Sequence, residues 1–304
     1  MRLVILGGNG QLGSDLAEVL RSASESVISL SRSDLDITQS AVLREKLSQH
    51  HPDIILNCSV FHPVDECEND PDRSFAVNAT AVRALARAAK DLQTAVVHFS
   101  SDYVFDGELG RPYKEEDTPT PVSVFGVSKV AGEQLLRALL PRHFIVRTSG
   151  LYGLAGSRVK WGNFVETMLR LGRQNGQVRV VNDLRMAQTA TRNLARQVLA
   201  LIRTDHYGTY HASDHGDYSW YEFAIKIFQY SAMEVKVTPV SWRDMPFAAP
   251  RPRYSVLENC RLKALGMDLM QPIDVALQAY LKARDVIPAP EGGPIGKAVD
   301  SGVF

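Results

Sequence analysis

The feature that most constrains this chain is a glycine-rich loop that begins at residue 7. A short apolar run, Arg2–Leu6, precedes the loop, and Leu16, Val19 and Leu20 follow it at helical spacing. These two patterns are typical of a buried parallel strand and an amphipathic helix. The order of strand, glycine loop and helix therefore predicts the opening unit of an α/β fold.

Glycines recur three residues apart within the loop, at Gly7, Gly10 and Gly13. In a dinucleotide-binding loop the first glycine permits a tight turn, the second lets the backbone approach a pyrophosphate, and the third lets the helix pack closely. The free N–H groups and the positive dipole end of the helix then face the phosphates. We therefore expect this loop to bind a nicotinamide dinucleotide, through Gly7, Asn9, Gly10, Gln11, Leu12 and Gly13.

Predicted strands and helices alternate over about 150 residues, a pattern that indicates a parallel sheet covered by helices on both faces. The fold class is thus α/β, a Rossmann-type doubly wound parallel sheet with a smaller C-terminal α/β substrate lobe. Crossovers of this kind place the carboxyl ends of all strands at one edge, where ligands bind. The predicted strands are Arg2–Leu6, Val27–Leu30, Ile54–Cys58, Ala95–Phe99 and Phe144–Thr148, and the helices are Ser14–Ser22, Ala79–Lys90 and Phe125–Leu140.

The pattern changes after Gly150, which suggests a second lobe. We assign residues 1–150 to the dinucleotide-binding domain, residues 151–287 mainly to a substrate lobe, and residues 288–304 to a loosely held tail. The chain is free to cross between the lobes more than once. The pieces predicted for the second lobe are the helices Asn163–Gly172, Asn193–Arg203, Ser219–Tyr230 and Ile273–Lys282 and the strand Val178–Val181.

Composition excludes several classes of protein. The formal net charge is zero and hydrophobic residues make up 45% of the chain, so nothing favours nucleic acid or an anionic membrane as a partner. No apolar run approaches the roughly 18 residues of a membrane span. Cys58, Cys67 and Cys260 form no disulfide framework and no zinc spacing, which predicts reduced thiols, a cytoplasmic location and no metal site.

The residues after the second predicted strand indicate which cofactor binds. An NAD-specific site needs a carboxylate there for the ribose 2′-hydroxyl, but this chain has Ser31 and Arg32. A hydroxyl beside a guanidinium suits a 2′-phosphate, so we predict NADP(H), with NAD(H) as the alternative. The competing interpretation is that Arg32 is only a solvent-exposed residue of a surface loop and does not contact the cofactor. Asp36 and Ile37, further along, are predicted to contact the adenine.

Several segments of the chain carry motifs that are specific in combination. They are NCSVFHPVDECE at 57–68, HFSSDYVFDG at 98–107, PYKEED at 112–117, FGVSKVAGE at 125–133, RTSGLYG at 147–153 and APRPRYSVL at 249–257. Together with the glycine loop, they resemble the dTDP-4-dehydrorhamnose reductase family of the extended short-chain dehydrogenase/reductase superfamily, from residue 1 to about residue 283. The resemblance implies NAD(P)H-dependent reduction of the 4-keto group of a nucleotide-linked 6-deoxysugar during rhamnose synthesis, with a dTDP-sugar or another nucleotide sugar as substrate. We expect a monomer or homodimer.

The resemblance also assigns roles to individual residues. Ser101 would hydrogen-bond to the substrate carbonyl oxygen, and Lys129 would bind the nicotinamide ribose and lower the pKa of a tyrosine one helical turn before it. A strand-end cap is the structural alternative for Ser101, and an interlobe salt bridge is the alternative for Arg251. Further cofactor contacts are predicted at Cys58, Ser59, Asn78 and Ser100, and substrate contacts at Val104, Phe105, Asn163 and Arg251.

One departure concerns the chemistry itself, because the tyrosine position of the family holds Phe125. A benzyl ring has no proton to donate, and general acid–base help is worth about 10²–10⁴ in rate. Three interpretations follow. The protein is a reductase that uses water or another acid, or a non-catalytic NADP-binding relative similar to the regulatory beta subunit of methionine adenosyltransferase, or it carries a change introduced to trap a complex.

A second departure lies in the segment DLRMAQT at 183–189, where Leu184, Ala187 and Gln188 replace the residues usual in the family. In the family this segment shapes the sugar-nucleotide pocket, so the identity of the sugar is left open. The acidic residues Asp65, Glu66 and Glu68 beside Cys67 are interpreted as a solvated helix start rather than as a metal site.

Overall fold

The computed structural model describes residues 1–155 and 162–285. The helices are α1 (Gln11–Ser22), α2 (Ser40–His50), α3 (Val64–Asn69), α4 (Pro71–Phe75), α5 (Ala81–Asp91), α6 (Val124–Leu139), α7 (Phe164–Asn175), α8 (Thr191–Leu201), α9 (Trp220–Tyr230), α10 (Cys260–Ala264) and α11 (Ile273–Asp285). The strands are β1 (Arg2–Leu6), β2 (Ser26–Leu30), β3 (Ile54–Asn57), β4 (Ala95–Ser101), β5 (His143–Thr148), β6 (Leu151–Tyr152), β7 (Gln177–Val181), β8 (Arg185–Met186), β9 (Thr189–Ala190), β10 (Gly208–His211), β11 (Tyr218–Ser219) and β12 (Lys236–Val240). A π-helical stretch, Ala76–Thr80, joins α4 to α5.

Six parallel strands form the main sheet in the order β10-β5-β4-β3-β1-β2. The strands alternate their side chains between two apolar layers. Leu3 and Ile5 of β1 face helices α1 and α8, whereas Val4 and Leu6 face α2, α5 and α6. Because both faces of the sheet are covered, the strands are apolar on both sides. The predicted doubly wound parallel sheet is confirmed.

The chain returns to this sheet from beyond residue 150. Helix α8 packs on α1, and β10 pairs with the edge strand β5, so Thr191–His211 completes the dinucleotide-binding half. The division at residue 150 stays a prediction. The predicted tail, residues 288–304, lies outside the described residues.

The remaining elements form a smaller lobe beside the carboxyl edge of the sheet. Helices α7, α9 and α11 pack around a separate apolar cluster together with the parallel pair β7 and β12. Ser219 caps α9 through a capping box with Glu222, as the sequence predicts for a helix that starts at a serine. Among residues 1–155 and 162–285, no helix is long and apolar enough to cross a membrane.

Candidate active site

The glycine loop forms a cradle at the carboxyl end of β1. Gly7 has a φ of +73°, which an L side chain rarely adopts, and a Cβ on Gly13 would lie 2.6 Å from the Gly7 carbonyl oxygen. Helix α1 begins at Gln11, and its N-cap, Gly10, offers no side-chain cap. The first amides of α1 therefore face the cradle without a capping side chain, and the loop has the shape that a pyrophosphate requires.

Other residues predicted to contact the cofactor surround this cradle. The backbone of Cys58 and Ser59 lies against Gly7, where a Cβ would approach to 3.1 Å. Gln11 donates from Nε2 to the Leu151 carbonyl at 3.1 Å, while its Oε1 has no partner among the described residues. Leu12 is buried, so it offers the cofactor mainly its backbone.

Asn78 is placed differently from its predicted role as a cofactor contact. Its side chain is 1% exposed and holds the backbone of Phe61, accepting from the Phe61 N–H at 2.9 Å and donating to the Phe61 carbonyl at 2.8 Å. It also donates to Ser128 Oγ at 3.0 Å. Because the polar atoms of its side chain are used inside the protein, a cofactor contact of Asn78 stays a prediction that would involve its backbone.

The residues predicted to distinguish NADP(H) from NAD(H), Ser31 and Arg32, follow β2 directly. Ser31 Oγ donates to Asp34 at 2.6 Å, and the 73% exposed Arg32 side chain reaches Asp36 at 3.6 Å. An exposed and weakly paired guanidinium can turn toward a phosphate at little cost. Ile37 is only 5% exposed and packs in the core, so an adenine contact at Asp36 and Ile37 stays a prediction in which Ile37 would offer its backbone.

Ser101 ends β4 at the same edge of the sheet. Its Oγ donates to Asp102 Oδ1 at 2.9 Å and accepts from the Tyr103 N–H at 3.1 Å, so it does cap the short 3₁₀ turn Asp102–Val104. Asp102 is buried, and Ser255 Oγ donates to its other oxygen at 2.6 Å. Burial raises the pKa of Asp102 to about 6. A hydroxyl held in this way can serve a ligand only by exchanging its Asp102 bond.

Lys129 lies on α6 with its ammonium group beneath the site. Nζ donates to the Phe99 carbonyl at 2.7 Å, and the side chain is 2% exposed. Burial lowers the pKa of Lys129 to about 8, against the opposing charge of Glu133. Glu133 is itself held by a bidentate pair with Arg147 at 3.0 and 2.7 Å. Among the described residues, Lys129 Nζ has only the Phe99 carbonyl as a hydrogen-bond acceptor, so its other N–H groups are available to a ligand.

Phe125 occupies the turn of α6 before Lys129. Its ring is 7% exposed, meets Tyr103 edge-on with the ring centroids 5.8 Å apart, and packs in a cluster with Phe61 and Cys67. The phenol that this cluster does contain belongs to Tyr103, and burial raises its pKa. Ser100 Oγ and Thr148 Oγ1, both buried at the ends of β4 and β5, find no hydrogen-bond partner among the described residues. Such buried and unpaired hydroxyls are suited to a polar ligand at this edge.

Three of the predicted substrate contacts serve the fold instead. Val104 and Phe105 are fully buried, and the Phe105 ring stacks on Tyr113 with centroids 4.2 Å apart, so neither side chain can contact a ligand. Asn163 caps α7, accepting from the Glu166 N–H and donating to Gly153 and Tyr280. Substrate contacts of these three residues stay predictions, and for Val104 and Phe105 they would involve the backbone.

Arg251, the fourth predicted substrate contact, forms a bidentate ion pair with Asp65 at 3.0 and 2.8 Å and stacks on Phe247. Asp65 also accepts from the Ala248 and Ala249 N–H groups, at 3.0 and 2.9 Å. This is the interlobe salt bridge that the sequence left as the alternative. Asp65 lies in the first turn of α3, as the sequence predicts, and the ion pair gives it a structural role in addition. A diphosphate contact of Arg251 stays a prediction.

The departing segment at 183–189 is mostly internal. Leu184, Ala187 and Gln188 are all buried, and Gln188 donates to the Tyr218 carbonyl at 3.3 Å. These three replacements therefore change the packing behind the cleft rather than its surface. Among the described residues, no group of three His, Cys, Asp or Glu side chains is placed to hold a metal ion.

A parallel sheet, an uncapped helix at a glycine cradle and a serine–lysine pair at the same edge define a dinucleotide-dependent protein of the short-chain dehydrogenase/reductase class. The family model described as "RmlD substrate binding domain" matches residues 1–286. The chain belongs to this family, and the resemblance to dTDP-4-dehydrorhamnose reductases is confirmed.

Individual relatives cover almost the whole chain. The spore coat polysaccharide biosynthesis protein SpsK of Bacillus subtilis is 35% identical over 93% of this chain and 98% of its own. A dTDP-4-dehydrorhamnose reductase of Streptomyces griseus is 36% identical over 91% of each chain. The crystal structure of the Bacillus anthracis reductase in complex with NADP has a TM-score of 0.88 and 37% identity, covering 93% of this chain and 99% of that one.

Proposed function

We propose that the protein reduces the 4-keto group of a nucleotide-linked 6-deoxysugar with NADPH. The observation that carries this proposal is that Ser101 ends β4 while Lys129 Nζ donates to the carbonyl of Phe99, two residues earlier in the same strand. Relatives of the same length are named as reductases of dTDP-4-keto sugars. One solved relative is described as a complex with NADP.

The residues of this chain divide the work of binding and positioning. The bound cofactor supplies the hydride. The backbone of the glycine loop would hold the pyrophosphate, Lys129 the nicotinamide ribose, and Ser101 the substrate oxygen on which negative charge develops. Asp102 and Ser255 orient Ser101 before the substrate arrives. Phe125 contributes apolar contact and no proton.

The direct test mixes the protein with NADPH and dTDP-4-keto-6-deoxy-L-mannose and follows the loss of nicotinamide absorbance. We expect NADPH consumption to equal product formation, and Ser101→Ala to slow it. Ser24→Ala, on the exposed turn after α1, is the matched control and should have no effect. No consumption by the natural protein or by its Phe125→Tyr variant, with NADPH still bound, would contradict the proposal.

Phe125 also favours a second candidate, a non-catalytic NADP-binding protein that regulates a partner. The substitution removes the usual proton donor while it leaves the glycine cradle and Lys129 in place. This candidate predicts tight NADPH binding without turnover in either form. The reductase proposal predicts turnover that is already measurable in the natural protein.

The three cysteines support a cytoplasmic location, because all are free thiols. A monomer or homodimer stays a prediction, for which light scattering of the purified protein is the measurement.

Arg32→Ala is expected to weaken NADPH binding and to leave NADH binding unchanged. The guanidinium would pair with the 2′-phosphate, and one exposed charge-assisted contact of this kind is worth roughly 1–2 kcal/mol, or about 10-fold in affinity. Titration of intrinsic fluorescence with each cofactor measures both dissociation constants. Arg44→Ala, which removes an exposed arginine of α2, serves as the control. Equal losses for both cofactors would show that Arg32 does not select the phosphate.

A further inference from the structure

The missing phenol raises the question of which group can give a proton at this site. Two histidines lie close enough to Lys129 for its charge to lower their pKa, His62 and His98. His98 is fully buried within β4, where it bonds to Asn57 at 3.2 Å. His62 is exposed, in the loop between β3 and α3. Of these two, only His62 can contact a substrate.

The fold fixes the position of His62 through its neighbours on both sides. The preceding residue, Phe61, is tied through Asn78 to Ser128, the residue next to Lys129. The Phe61 ring packs in the same cluster as Phe125, and Val64 packs against that cluster from the other side of the loop. His62 thus projects from a segment anchored directly against the face of α6 that carries the tyrosine position.

Sheet topology places the same loop at the reacting edge. β3 and β4 are parallel neighbours, with Asn57 opposite His98, so the loop that leaves β3 and the end of β4 at Ser101 share one edge. Helix α3, which follows the loop, packs on α6. His62, Ser101 and Lys129 therefore lie at the same edge of the sheet, as does the cradle at Gly7 that lies against Cys58 and Ser59.

We propose that His62 donates the proton that the family tyrosine would otherwise supply, directly or through one water. This inference rests on the proposed reductase function. The carbonyl carbon gains a hydride from the reduced nicotinamide, the carbon–oxygen π bond breaks, and the oxygen takes the proton of the His62 imidazolium. Neutral imidazole remains and regains its proton from solvent, to which the side chain is open.

The charges around His62 give this proposal a pH signature. Partial desolvation by the atoms packed around the ring lowers the pKa of His62, the Glu66 carboxylate on α3 raises it, and the Lys129 ammonium on α6 lowers it. Because only the imidazolium can donate, kcat/KM for reduction should rise as the pH falls through the range just below 6.5. A phenol at residue 125 stays protonated over that range, so Phe125→Tyr should remove the dependence.

The decisive experiment is a double-mutant cycle of His62→Gln and Phe125→Tyr. We expect His62→Gln to reduce kcat by at least about 10-fold in the natural background. In the Phe125→Tyr background the reduction should be less than about 2-fold, because the tyrosine can then donate the proton instead of His62. His206→Gln, the same change in the exposed loop before β10 at the opposite edge of the sheet, is the control. Full turnover of His62→Gln overturns the proposal, and so does an equal loss in both backgrounds, which would mean a binding or structural role.

A second measurement does not need turnover. The Cε1–H signal of His62, assigned by its absence in His62→Gln, should titrate below pH 6.5 and move to higher pH in Lys129→Met, because that variant removes the nearby positive charge. An unchanged midpoint would place His62 away from Lys129 and overturn the proposal. No turnover in any variant of the cycle would instead contradict the reductase function.

Discussion

Replacing Phe125 with tyrosine is expected to raise kcat/KM for sugar reduction about 10- to 100-fold. A positioned general acid is worth about 10²–10⁴ in rate, and the gain is smaller here because the proposed His62 already supplies part of it. The new hydroxyl would lie one helical turn before Lys129, whose ammonium stabilises a phenolate and so lowers the pKa of the tyrosine. Steady-state kinetics with NADPH and the 4-keto sugar measure the change.

The substitution should cost little stability. Phe125 is 7% exposed at the edge of the cleft, so the added hydroxyl can point into the cleft rather than into the core. Phe75→Tyr, which makes the same chemical change on an exposed ring of α4, controls for expression and folding. A Phe125→Tyr variant that binds NADPH but turns over no faster than the natural protein would show that proton donation does not limit this enzyme.

Sequence patterns predicted the elements whose signals are local. The strand β1 was predicted with its observed bounds, and the start of α9 was predicted from Ser219, because a buried run and a capping serine both act within a few residues. Helix α2 was missed. Only Leu43 and Leu47 of it are buried, so its apolar stripe is too narrow to stand out. Strand β10 was missed as well, since its short GTYH run becomes a strand only by pairing with β5.

The same distinction explains the site. Ser101 and Lys129 were placed by motifs that their own segments carry. Val104 was assigned to the pocket because it follows Ser101, yet the 3₁₀ turn after β4 directs it into the core. Arg251 pairs with Asp65 across 186 residues of sequence, a partner that no local pattern reveals. No local motif points to His62, because its proposed role depends on the hydroxyl that Phe125 does not have.

Cofactor binding and proton transfer depend on groups that differ in charge and burial. The cradle at Gly7 binds through backbone groups and a helix dipole. These groups do not change their protonation state with pH, and they do not depend on the side chains at the reacting end. The reacting end concentrates buried ionisable groups, with the pKa of Asp102 raised to about 6 and that of Lys129 lowered to about 8. Mutations can therefore separate cofactor binding from chemistry. The buried charges at the reacting end lower the stability of the folded protein.

Lys129→Met should show this cost, because it is expected to abolish reduction while it stabilises the protein at pH 7. In the fold the pKa of Lys129 is lowered to about 8 from 10.5, a shift that corresponds to about 3 kcal/mol against the charged form. Methionine is similar in length and removes that penalty. Loss of the hydrogen bond to the Phe99 carbonyl destabilises the variant by about 1 kcal/mol. We expect a net gain of roughly 1–2 kcal/mol in the free energy of unfolding.

The pH dependence distinguishes this cause from a general improvement in packing. Below pH 8 the folded natural protein carries the full penalty, and between pH 8 and 10.5 its folded state binds fewer protons than its unfolded state, so its stability rises with pH. The advantage of Lys129→Met should therefore be largest at pH 7 and vanish near pH 10.5. Urea unfolding at both pH values, with exposed Lys90→Met on α5 as the control, measures it. An advantage that is equal at both pH values would mean that the ammonium of Lys129 is not the destabilising group.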